Sequence, residues 1–401
     1  MAASAREGSY VVIEPGTLTT RYGRSEYQYL PSKTSTRIGR QPPASKDEPS
    51  LLVGCSDLDA LLAKNEQVDN LRWPISNGKV VDWAAFEDLL KYLVVKEIGV
   101  RRATNDSHTL VCLPLSWPTS DVERLVQIMF ETLNVPGLFV AESPLMALYG
   151  CGLVTGLVID IGHETTDIAA VLDSVVSRSS AQTLAVGGSH VHAYLRSLLE
   201  KDALFMQSLG HLKLDDQLVK ALMESGVCRL FNAKERTRPP LSNSIKRADW
   251  EYQGVKLSVG LARYQAFEIL FQPQQLGLDM IGIVESTYLV AMGATEALDK
   301  RFSLWESVLL TGGVSVVPGL QERFENELNI YLSASETSNE FQAKEVKFVK
   351  LPEFFSAYKE GGADSTYLGG TITARLTLNA PSQHITKSDY NEMGPSVYRF
   401  K

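Results

Sequence analysis

The sequence predicts an α/β fold in which strand hairpins are interleaved with helices, rather than a purely parallel doubly wound sheet. Two observations lead there. Short apolar β-prone runs at 10–13, 109–114, 138–140, 156–161 and 308–310 are separated by stretches with helical spacing of apolar residues. Two of the runs also end in the same form, Val12-Ile13-Glu14-Pro15-Gly16 and Val158-Ile159-Asp160-Ile161-Gly162, at an offset of 146 residues (160 − 14). Such an internal echo suggests two related half-domains facing each other. The length of 401 residues agrees with two or three units at about 150 residues each.

Taken in order, residues 10–13 form a buried strand that stops at Glu14-Pro15-Gly16, and β-prone residues 17–22 complete a hairpin. Residues 33–50 are polar, Pro-containing and without periodicity, the composition of a mobile loop or linker, and so a small peripheral insertion. Trp73-Pro74-Ile75-Ser76-Asn77-Gly78 is turn chemistry. From Asp82 a helix follows, with Trp83, Phe86, Leu89, Leu90 and Leu93 on the core face. Residues 109–114 are a strand. Ser120 with Glu123 three residues on forms a capping box, and Val122, Leu125, Val126, Met129 and Leu133 mark one helical face before Asn134-Val135-Pro136 ends it. A strand at 138–140, a short helix at 144–149 and a strand at 156–161 come next. Ile168, Ala170 and Leu172 then alternate as a strand should. The run Val308-Leu309-Leu310-Thr311-Gly312-Gly313 puts a double glycine after a buried strand and leads into a helical stretch at 321–328.

Composition narrows the function. Basic residues number 39 and acidic residues 47, a formal charge of −8 with pI near 5.4. Polyanion binding is therefore not the main task, and direct nucleic-acid contact is not expected. The local basic points Arg101-Arg102 and Arg236-Thr237-Arg238-Pro239-Pro240 read as solvated surface. With 44% hydrophobic residues and a mean hydropathy of −0.06, the chain has enough apolar surface for several cores. The four cysteines, Cys55, Cys112, Cys151 and Cys228, are far apart, which indicates neither a disulfide framework nor a zinc site. The N-terminus lacks the apolar core of a secretory signal, and no run reaches membrane-spanning length. The expectation is a soluble intracellular protein, cytosolic or nuclear.

The chemistry collects at the glycines. A glycine at a strand end lets backbone approach a ligand and aim successive N–H groups at an anion, while an adjacent carboxylate can hold hydrated Mg²⁺. Two opposed hairpins could grip one polyphosphate. Each acidic-x-Gly alone also describes an ordinary turn. The third glycine site, where a planar base or its phosphate could lie against bare backbone, shifts the balance. Ser315 has no accompanying His/Asp order, and the six histidines (His108, His163, His190, His192, His211, His384) are dispersed, so no hydrolytic triad is expected. His190 and His192 read as polar groups at a helix start rather than metal ligands.

With these residues the chain resembles the actin and actin-related protein family. Further segments carry the resemblance in order along most of the length: Gln127-Ile128-Met129-Phe130-Glu131-Thr132-Leu133-Asn134-Val135-Pro136, Leu270-Phe271-Gln272-Pro273 and Tyr390-Asn391-Glu392-Met393-Gly394-Pro395-Ser396. It implies the actin/Hsp70/sugar-kinase type of two-lobed clamp with ATP or ADP and a divalent cation in the cleft. The four subdomains would be 1–35, 73–150 and 353–401 (first), 36–72 (second), 151–186 and 276–352 (third), and 187–275 (fourth). By position, the first phosphate hairpin is Glu14, Gly16, Thr17 and Arg21. The second is Asp160 and Gly162, with Asp160 also the metal residue; Gly188 follows, and Gly312 and Gly313 lie on the adenosine side.

The departures from the family are informative. In the first hairpin actin-like sequences have Asp at Glu14, Gly at Leu18 and Lys at Arg21. In the second, an Asp and a Gly of actin are here His163 and Glu164, and the family histidine is Asp167. Actin's water-positioning glutamine aligns with Ser143, and its adenine-contacting lysine with Ala363. In-line hydrolysis needs a side chain with enough reach to hold the attacking water. Serine is too short, so efficient ATP hydrolysis is not expected. Glu164 and Asp167, if beside a terminal phosphate, would each cost on the order of 4 kcal/mol at about 4 Å and an effective dielectric near 20. Nucleotide with Mg²⁺ is accordingly expected to bind weakly or not at all.

Within the family the resemblance points to a non-enzymatic structural subunit. Phe348-Val349-Lys350-Leu351-Pro352-Glu353-Phe354-Phe355-Ser356-Ala357-Tyr358-Lys359-Glu360 is similar to the divergent branch found in SWI/SNF and RSC chromatin-remodelling complexes. Such a protein would be nuclear, pair with another actin-related protein as a heterodimer, and lie on the helicase/SANT-associated helix of the remodelling ATPase. The alternatives are the cytoplasmic pointed-end actin-related subunit of dynactin, and an ATP-hydrolysing, polymerising actin-like protein.

Overall fold

A computed structural model describes residues 10–26, 28–42, 50–64, 66–231, 247–333, 345–358 and 362–401. The chain divides into two compact units, Met1–Val154 with Leu351–Lys401, and Thr155–Lys350. The basic run Arg236-Thr237-Arg238-Pro239-Pro240 and residues 359 and 360 lie outside the described residues.

The first unit is built on a six-stranded mixed sheet. Strand Val11–Glu14 pairs antiparallel with Thr19–Arg24 and parallel with Thr109–Leu113, which in turn runs parallel to Gly137–Glu142. Alternate residues of one strand face opposite sides. Val11 and Ile13 accordingly enter a core with Phe86, Leu89, Leu125 and Met129, while Val12 enters another with Cys112, Met146 and Tyr367. Both faces of the sheet are thus covered, which is why its central strands are apolar throughout rather than alternating.

Several predicted elements appear within a residue or two. The helix Trp83–Tyr92 starts where Asp82 accepts a hydrogen bond from the Ala85 amide at 2.9 Å. Asn77 and Gly78, both at positive φ, close the hairpin between Ile75–Ser76 and Lys79–Val80.

Three expectations are corrected. Much of 33–50 is ordered sheet: Ser32–Ser35 extends the central sheet beyond Thr19–Arg24, and Ile38–Gln41 pairs with Leu51–Gly54. Residues 43–49 of that segment lie outside the described residues. The segment is polar because its strands are short and partly exposed, so they need few apolar side chains. The capping box at Ser120 and Glu123 does not form. Pro118, extended with φ −67°, caps the helix Thr119–Gln127 without a side-chain bond. Its carbonyl accepts the first helical N–H groups, from Asp121 and Val122. Ser120 is already inside the first turn, and Glu123 pairs with Arg399 at 2.5 Å. Trp83, expected in the core, is half-buried and stacks edge-on with Phe86 and Trp117.

The second unit repeats the motif. Strand Gly156–Ile161 pairs antiparallel with Thr166–Leu172 and parallel with Val308–Thr311. Leu157, Ile159 and Ile161 point into a large core with Val191, Leu195, Phe267, Ile283 and Phe324. The 146-residue echo in the sequence is therefore also an echo in topology: a hairpin flanked on one side by a parallel strand.

Candidate functional site

In the first unit the structure brings Glu14, Gly16, Thr17 and Arg21 together at one hairpin. The antiparallel register sets Glu14 opposite Arg21, and Arg21 opposite Lys33 on the next strand, giving a row of charges across three strands. The Arg21 guanidinium donates to Glu14 Oε1 at 2.9 Å and to Asp364 Oδ1 at 2.7 Å. The other oxygen of Asp364 accepts from Lys33 Nζ at 2.8 Å. The Asp364 side chain is 4% exposed, so one carboxylate is held by two cations away from bulk water. At the turn, the Gly16 carbonyl accepts a hydrogen bond from the Thr36 hydroxyl at 2.7 Å. Thr17 is half-buried in the bend beside it.

Asp364 and Lys33 were not legible as site residues. Asp364 lies 343 positions from Arg21, just before the helix Ser365–Thr377, and it would read as an ordinary helix cap. It makes no capping bond; its carboxylate goes to the hairpin instead. Ala363, which stands at the family's lysine position, is next to it in the same turn.

In the second unit, Asp160 and Gly162 lie at the end of strand Gly156–Ile161, against the Gly312 turn. Gly312 is at φ +88°, and a Cβ there would meet Asp160 Oδ1 at 2.3 Å and the Ile161 carbonyl at 2.5 Å. Only glycine fits that conformation and that closeness. Gly313 is exposed, with nothing near its missing side chain. Gly188 opens the helix Gly188–Glu200, a position where backbone N–H groups commonly meet anions. Here the Gly188 amide donates to the Gly162 carbonyl at 3.0 Å and the Ser189 amide to the His163 carbonyl at 2.6 Å. Gly162 N–H in turn donates to the Thr165 carbonyl at 2.9 Å. His190 Nδ1 accepts from the Gly187 amide at 3.2 Å, so this histidine closes the helix start.

The carboxylates of the second hairpin are crowded. Asp167 stands directly across from Asp160. Burial pushes the Asp167 carboxyl up to about 6; the Thr183 hydroxyl, donating at 2.5 Å, opposes this, and the charge of Asp160 adds to it. His163 is held below its ordinary value, chiefly by burial, with His192, Lys220 and His190 adding repulsion against the pull of Glu164. Ser315 donates its hydroxyl to the Gly312 carbonyl at 2.8 Å, which is a turn contact and not a nucleophile's environment. Among the described residues, no three His, Cys, Asp or Glu side chains cluster as metal ligands do.

A phosphate needs a cation and N–H groups turned toward it. Arg21 is instead satisfied by two carboxylates of its own unit, and the N–H groups of Gly162, Gly188 and Ser189 are spent on loop carbonyls.

Comparison with known proteins agrees with the duplicated hairpin topology. The family model described as Actin matches residues 5–401. The chain belongs to the actin family. It is 34% identical over 330 residues to actin-related protein 7 of Arabidopsis thaliana, a match covering 82% of this chain and 84% of that protein. Actin-related protein 7 of Oryza sativa subsp. indica is 30% identical over 348 residues, covering 86% of this chain and 89% of its own length. Actin-related protein 2 of Arabidopsis thaliana is 27% identical over 397 residues and covers 96% of both. The fold is that of an actin-related protein.

Proposed function

We propose that the chain is a non-catalytic, structural actin-related subunit of a SWI/SNF- or RSC-type chromatin-remodelling complex. In this role it works in the nucleus, pairs with a second actin-like protein and binds a helical segment of the remodelling motor. The observation that carries the proposal is the self-neutralised hairpin: Arg21 is held by Glu14 at 2.9 Å and by Asp364 at 2.7 Å, inside a fold otherwise retained along the chain. A protein selected for shape can keep its cores while the side chains of its phosphate hairpin close on one another. Ser143 supports the same reading, since it opens the helix Ser143–Gly150 at the position where actin carries the glutamine that orients water. The likeness to proteins named actin-related protein 7 in two plants favours a divergent branch over actin itself.

Two measurements test this. Purified protein with ATP and Mg²⁺ should release no phosphate above a buffer blank, with or without a remodelling motor. Robust release abolished by Asp160→Ala would overturn the non-catalytic reading and leave a polymerising ATPase. Affinity purification from cells should recover a chromatin ATPase and a second actin-like protein. Recovery of dynein-associated subunits without a chromatin ATPase would instead assign the chain to the pointed end of dynactin.

A further inference from the structure

We propose that Asp364 acts as a built-in competitor of phosphate: its carboxylate bridges the two cations, Arg21 and Lys33, on which the first hairpin would otherwise seat a nucleoside polyphosphate. The inference rests on reading residues 14–21 as a phosphate hairpin, and it goes further by naming the group that closes it.

The register makes the case. Arg21 and Lys33 are directly opposed on neighbouring strands, so two like charges share one cross-strand position. Such pairs repel unless an anion sits between them. Asp364 supplies that anion, with one oxygen 2.7 Å from Arg21 Nε and the other 2.8 Å from Lys33 Nζ. Two oxygens of one group on two cations is also how a phosphate would sit there. The position is enforced from the backbone: Asp364 ends the turn Gly362–Asp364 and begins the buried helix Ser365–Thr377, so its side chain is delivered to the hairpin by a fixed element. Among the described residues, Glu14, Asp364, Arg21 and Lys33 pair two carboxylates with two cations, so these four groups together are neutral. An arriving triphosphate would meet no net positive charge and would have to displace a charge-assisted, largely buried carboxylate. Removing the Asp364 charge leaves a net charge of +1 on Glu14, Arg21 and Lys33, which is the electrostatic character of an anion site.

The test is titration of the full chain with ATP and Mg²⁺, with adenosine as the probe that lacks phosphate, followed by calorimetry. Asp364→Asn should bind ATP at least tenfold more tightly than the natural chain, with adenosine affinity unchanged within twofold. Since Asp364→Asn leaves a cation uncompensated and could cost folding, the neutral pair Asp364→Asn with Lys33→Gln provides a second route. It removes the competitor from the Arg21 Nε edge but also one of the two cations, so with no net positive charge its gain in ATP affinity should be the smaller one, about threefold, and come from the guanidinium edge that Asp364 no longer occupies. Adding Arg21→Gln to Asp364→Asn should erase the gain. No gain in either folded variant, or an equal gain for adenosine, overturns the proposal. Phosphate release plays no part in this measurement, so an ATP-hydrolysing natural chain would refute the non-catalytic reading while leaving the role of Asp364 to be decided by affinity alone.

Discussion

Asp160 and Asp167 face each other across the antiparallel strands Gly156–Ile161 and Thr166–Leu172, two carboxylates at one cross-strand position where opposite or uncharged partners are the favourable choice. The consequence is a pH-dependent penalty. Burial, with Asp160 adding, holds Asp167 at about 6, against 3.8 for an ordinary aspartate. Between those values the folded chain keeps a proton that the unfolded chain has lost, so stability falls as the pH rises through this window. That displacement corresponds to at most about 3 kcal/mol. Asp167→Asn should therefore raise the melting temperature by several degrees at pH 7.5 and by almost nothing at pH 4. Equal shifts at both values would show that the two carboxylates are not coupled to folding as described.

His108 gives the opposite sign. Its ring lies edge-on to His384 with centroids 5.3 Å apart and edge-on to Tyr10 at 6.2 Å. Burial lowers its basicity, His384 adds repulsion, and Asp106 opposes both. A histidine lowered in the fold contributes its full stability above the unfolded value of 6.5, and that stability is lost as the pH falls through the folded value. The urea midpoint of the natural chain should drop between pH 7.5 and 5.5, and His108→Gln should drop less. Identical slopes for the two proteins would exclude His108 as a source of acid sensitivity.

How much of this was legible depends on range. The hairpins, the strand ends and the helix from Asp82 follow from local periodicity and turn residues, and they stand within a residue or two of where the sequence puts them. The echo of Glu14-x-Gly16 in Asp160-x-Gly162 foretold a repeated hairpin, because both ends of each motif are local. The decisive partner of Arg21 was invisible, since Asp364 comes from 343 positions away and its own neighbourhood reads as a helix start. The same limit explains Ser120. Its S-x-x-E pattern matches a capping box as well as Thr386-x-x-Asp389 does, yet only the latter forms one. The choice is made by Pro118, whose fixed backbone starts the helix before Ser120.

Close backbone approach gives a third prediction. In the first unit the helices Ser143–Gly150 and Ser365–Thr377 meet at glycines: a Cβ on Gly369 would lie 1.8 Å from the Met146 carbonyl oxygen, and one on Gly150 2.4 Å from that of Ser365. Neither obstacle is a side chain that could swing away. Gly369→Ala must push the helices apart and should cost about 3 kcal/mol or more, at the upper end of overpacking penalties. Gly313→Ala, with nothing within 4 Å of its Cβ, is the matched control and should be near neutral. Urea unfolding of the two variants decides the matter; comparable stabilities would contradict the tight helix crossing.

The second unit has its own sensitive point at Arg323, only 4% exposed, which donates to Glu268 at 2.9 Å and Glu327 at 2.5 Å and lies over the Phe271 ring at 4.7 Å. Removing one member of a buried ionic set is costlier than removing the whole set, because the remaining charges stay desolvated without a partner. Arg323→Met leaves two carboxylates close together and should cost about 3–5 kcal/mol. Glu268→Gln and Glu327→Gln added to Arg323→Met should recover a large part of that loss, since Met can keep the contact with Phe271 while the neutral amides no longer repel. Urea unfolding of the single and triple variants at pH 7 measures the difference. If the triple variant is no more stable than Arg323→Met, the arginine acts through packing on Phe271 and not as the counter-ion of Glu268 and Glu327.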